Sequence, residues 1–60
     1  MNAENFIQLV FNSTFDSIEE MKKFYDKMCV EFDKMGEKDK TKIKNSMCLE
    51  MLERAINYNY

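Results

Sequence analysis

The fold turns on how Phe6-Ile7-Gln8-Leu9-Val10-Phe11 is read. As a strand the stretch is rich in β-favouring residues, although strict alternation of apolar and polar side chains fails. As a helix it extends from Ala3 to Asn12: Asn2 supplies the cap, Glu4 suits the first turn, and Phe6, Leu9, Val10 and Phe11 form an apolar face with Ile7 at its edge. The helical reading is preferred. Asn12, Ser13 and Thr14 then form the break, and Phe15 stands as a staple residue before the next cap.

Downstream, Ser17 to Met35 has the clearest periodicity. Ile18, Met21, Tyr25, Met28, Phe32 and Met35 step by three and four alternately, and Phe24 and Cys29 widen the stripe. At 100° per residue these eight positions fall within about 140°, opposite a face of Glu, Lys and Asp broken only by Val30. The segment is an amphipathic helix. Asp16 with Glu19, and Ser17 with Glu20, both have capping-box spacing, so either opens it. Gly36 is expected to close it in a left-handed conformation, with Lys34 near the carbonyl end.

A second long helix is expected from Thr41 to Asn57, capped by Asp39 or Thr41. Its apolar positions, Ile43 through Tyr58, occupy an arc of about 240°, far wider than one packing seam needs. The excess perimeter implies cover from a second copy of the chain. Met47, Met51, Leu52, Ala55 and Ile56 are the expected oligomer interface. The short connection between the two long helices favours an antiparallel hairpin, with Cys29 level with Cys48 and Tyr25 with Leu52. The thiols then read either as a redox-switchable pair or, by preference, as small buried hydrophobes.

Sixty residues allow one small helical domain, 1–60, and the core of such a chain is marginal on its own. There is no His, and the two Cys lie 19 apart, so neither a structural zinc site nor a His-based nucleophilic site can be assembled. No metal or cofactor is expected, and no enzyme. One glycine cannot make a phosphate loop, and no apolar run approaches the roughly 20 residues of a membrane span. A cytoplasmic, soluble chain is expected. Eight Lys against one Arg, six Asn and no Pro suggest AT-rich codons, as in a low-GC bacterium, its phages or its plasmids.

If residues 6–11 are a strand, the order strand, helix, helix resembles that of ribbon-helix-helix DNA-binding dimers. The resemblance is one of element order, and it implies a DNA-binding regulator. The side chains oppose it: such ribbons carry polar or basic groups into the major groove, whereas both faces here are Phe, Ile, Leu and Val, and the net charge is −2. Nucleic acid is disfavoured as a partner.

Two polar groupings remain as candidate ligand sites. Residues 34 to 44 carry a local charge of +3, and Lys38, Lys40, Lys42 and Lys44 read as an anion-binding tip or, more simply, as a solvated turn. Arg54, Asn57, Tyr58 and Tyr60 combine a guanidinium, an amide and two phenols, the set a small nucleotide-like anion would need. Of the six Met, five lie on helical apolar stripes, where they fill a core or adapt to a partner groove. The expectation is an all-α chain: a short N-terminal helix and a two-helix hairpin, completed as a homodimeric bundle. Its expected role is stoichiometric capture of a host protein or a small anionic signal, as an anti-defence inhibitor from a phage or mobile element does, with a purely structural assembly subunit as a further alternative.

Overall fold

Local capping sets the first two helices where the side-chain pattern places them. A computed structural model describes residues 1–58, and all of its regular structure is helical: α1 Ala3–Asn12, α2 Ile18–Asp33, α3 Glu37–Ser46 and α4 Cys48–Tyr58. Residues 6–11 are therefore helix, and the strand that the ribbon-helix-helix order required is absent among the described residues. Asn2 caps α1, its side-chain oxygen accepting from Asn5 N at 2.8 Å. Ser17 caps α2 by accepting from Glu20 N at 3.2 Å, while the Glu20 carboxylate reaches back to Asp16 N at 3.3 Å. That is a capping box with its return bond displaced by one residue.

The inward face of α1 is Ala3, Phe6 and Val10, with Ile7 half-buried beside them. Leu9 and Phe11, expected on that face, remain 41% and 50% exposed. The i, i+3, i+4, i+7 row needed Ala3 as its first member, and an arc centred on Phe6 and Ile7 turns Leu9 and Phe11 outward. On α2, Met28 is fully buried and Met21, Phe24, Tyr25 and Phe32 pack around the core, as the periodicity requires. Phe15 packs against Phe24, with ring centroids 5.2 Å apart; because Ser17 is the cap, Phe15 stands one residue before the staple position and its ring partner lies beyond the first turn, so the contact is not the expected staple. Phe6 meets Phe32 at 6.5 Å.

The C-terminal half departs from expectation. Gly36 is not left-handed: with φ −74° and ψ 166° it is extended, and it opens α3 without a side-chain cap. Asp39 and Thr41, the expected caps, lie inside α3. The helix expected over 41–57 is two helices, broken at Met47, which adopts the left-handed conformation with φ 60° and ψ 20°. A third helix thus intervenes where a short hairpin turn was expected.

Helix geometry explains the break. Ile43 and Leu52 are nine residues apart, which on a straight helix puts them about 180° from one another. Both are nevertheless buried in the same core, with Cys48 and Ile56. Only a break between them can turn both inward. The 240° apolar arc is therefore two narrower faces on two helices, covered in large part by this chain itself. α1 packs on α3 and α4, and α2 packs on α4. Cys29 is half-buried, Cys48 fully buried, and both are free thiols. No helix among the described residues is long and apolar enough to cross a membrane.

Candidate functional site

The four lysines of the basic segment all lie on α3, but they do not converge. Lys40 and Lys44, one turn apart, hold their ammonium groups 5.7 Å and 6.0 Å from the centroid of the Phe32 ring. Their aliphatic stems and charges cover the edge of the core through cation–π contacts. Lys38 and Lys42 are exposed elsewhere on the helix. The first turn of α3 is acidic, with Glu37 and Asp39, which satisfies the positive end of the helix dipole internally.

Arg54, Asn57 and Tyr58 do come together, beside Met51 and Ala55, along one side of α4. No second element walls them in, and Tyr58 is 90% exposed. Tyr60, the fourth member of the expected set, lies outside the described residues. A ligand site that discriminates a small molecule is concave and buries most of its occupant; this one is an open helix surface.

The expected oligomer interface divides. Leu52 and Ile56 are each only 7% exposed, because the chain's own core takes them. Met47 and Met51 stay 46% and 52% exposed, and Ala55 is half-buried. Met47 and Met51 are adjacent turns, joined by the Met51 N to Met47 O hydrogen bond of 2.9 Å. A groove of about 240 Å³ runs alongside, between the end of α1 and α4, with Phe11, Phe15 and Met21 on one wall and Met51 and Ala55 on the other. Because Met51 and Ala55 belong to both surfaces, the groove and the outer side of α4 form one continuous apolar face.

Between α2 and α4 lies a feature that sequence reasoning missed. Tyr25 donates its hydroxyl to the Glu53 carboxylate at 3.4 Å, and both line a second hollow of about 240 Å³ with Cys29 and Leu49. Burial, then the neighbouring Cys29 thiol and the Glu53 carboxylate, push the Tyr25 phenol up to about 12. A phenol so placed stays protonated near neutrality and serves as a hydrogen-bond donor, the opposite of what a general base requires. The i, i+4 spacing of Tyr25 and Cys29 was visible on α2; their meeting with Glu53 depends on the bend at Met47.

No protein-family model, curated protein or solved structure matches this chain.

Proposed function

We propose that this chain is a non-catalytic binding protein that captures a protein partner on the continuous apolar face of α4 and the adjoining α1 groove. The observation that carries the reading is the exposure of Phe11, Met47, Met51 and Tyr58, at 50%, 46%, 52% and 90%. Small soluble chains rarely leave large apolar side chains contiguous unless something docks on them. Methionine at two of the four positions suits a surface that must adapt to an irregular partner. The open shape of the Arg54, Asn57 and Tyr58 surface favours a protein over a small anion as the occupant.

Site-specific photocrosslinking tests this in cells that make the protein. A photoreactive side chain at position 51 is expected to trap a discrete protein adduct, whereas one at the exposed Lys42 position traps none. Equal labelling from both positions would refute the reading. So would tight calorimetric binding of a nucleotide that Arg54→Ala abolishes, since the small-anion alternative alone predicts it.

A further inference from the structure

Resting on that reading of the apolar face, we infer that one occupant of the α4 side is a second copy of this chain, seated antiparallel in an α4·α4′ pair. The inference comes from how the face matches itself under two-fold symmetry. Taking Met51 as the centre of the outer side, Tyr58 and Ala55 fall within about 40° of it, while Arg54 and Glu50 both lie on one flank, at about 60° and 100°. The opposite flank, carrying Cys48 and Leu52, turns into the chain's own core.

In an antiparallel pair of identical helices, equivalent flanks meet each other. The polar flank of one α4 therefore runs along the same flank of its copy in reversed order. In the register that sets Met47 level with the partner's Tyr58, Met51 comes within one residue, a rise of about 1.5 Å, of the partner's Ala55. The same register brings Glu50 equally close to level with the partner's Arg54, and the symmetry axis repeats each match. Large apolar side chains then face smaller or planar ones, and every charge on the seam meets its opposite. A parallel pairing would instead set the Arg54 and Glu50 flank of each helix against the Cys48 and Leu52 flank of the other, which the chain's own core already occupies. The seam is only about 16 Å long, the length of eleven helical residues, so the dimer belongs to the weak, concentration-dependent class.

Reversing the charges tests the register and not merely the association. Sedimentation equilibrium of the full chain over roughly 1 to 500 μM should show a reversible monomer–dimer equilibrium. Glu50→Arg alone and Arg54→Glu alone should each weaken dimerisation by about tenfold or more, because each juxtaposes like charges twice. Mixing the two variants should restore it, since the wholly basic flank of the first then faces the wholly acidic flank of the second. Both positions are exposed, and an unchanged thermal melt of each variant confirms that folding is not the cause. A chain that remains monomeric over the whole range overturns the inference, as does a dimer indifferent to both reversals. A monomer that still crosslinks to a different protein from position 51 would sink the self-pairing and leave the proposed function standing; loss of both would sink the two together.

Discussion

The two junctions that bound α3 differ in a way that inverts the usual assignment of residues to backbone. At the first, Gly36 occupies an extended conformation open to any L residue, and a Cβ built there meets nothing within 4 Å. At the second, Met47 holds the left-handed conformation that glycine adopts without steric cost. The chain's one glycine thus stands at the junction that does not need it. What bends the chain at Met47 is demand from the core, because Ile43 and Leu52 must both turn inward. Local capping decides where α1 and α2 begin; tertiary packing decides where α3 ends.

If packing enforces the bend, the largest effects come from removing the side chains that require it. Ile43→Ala and Leu52→Ala should each cost about 2–5 kcal/mol, comparable to the whole stability expected of a chain this size. Each variant should lose its cooperative thermal transition. Met51→Ala, one position from Leu52 but facing outward, should change stability by less than about 0.5 kcal/mol in dilute solution. Equal losses at 51 and 52 would mean that the two sides of α4 are not distinguished by cover.

This contrast also marks what the sequence made legible. The Asn2 and Ser17 caps are local, and so is the α2 stripe around Met28; each can be read from residues within one or two turns. The apolar excess over 41–58 was legible as well, but as a single helix it could only be assigned to a partner. No residue type announces a left-handed methionine. The signal that could have found the break is the opposition of Ile43 to Cys48, Leu52 and Ile56 on a continuous wheel. Of the candidate site, Met47, Met51 and Tyr58 were visible as surplus apolar residues, whereas the contribution of Phe11 and Phe15 required knowing that α1 ends against α4. The Lys38 to Lys44 group failed as a cluster because a helix replaced the expected turn and divided its lysines between two faces.

Substitution at the junctions should give intermediate effects of predictable sign. Met47→Gly should stabilise by about 0.5–1 kcal/mol, the relief of left-handed strain exceeding the added freedom of the unfolded chain. Met47→Val should destabilise by about 1 kcal/mol or more, since β-branching is least compatible with that conformation. Gly36→Ser should stabilise by about 0.5–1 kcal/mol, by restricting the unfolded chain and supplying the cap that α3 lacks. Urea unfolding at low concentration, below dimerisation, measures all three. A Met47→Gly variant less stable than wild type would show that the Met47 side chain contributes more by contact than its backbone costs.

The smallest effect concerns the polar link between α2 and α4, which spans both junctions. Tyr25 is neutral when protonated, and its phenol is pushed from 10.0 to about 12 by burial first and by Cys29 and Glu53 after it. A raised pKa means that the folded state holds the proton more tightly than the unfolded chain does. The associated stability is complete below pH 10 and declines as pH climbs from 10 towards 12, because only the unfolded chain releases its proton freely in that window. Since the side chain remains partly accessible, screening should reduce the effect to about 0.5 kcal/mol. Chemical denaturation across this alkaline window should therefore show a shallow loss of stability that Tyr25→Phe removes and Glu53→Gln reduces. If Tyr25→Phe followed the same alkaline slope as wild type, the link would carry no differential proton affinity, and α4 would be held against α2 by Leu49 and its apolar neighbours alone.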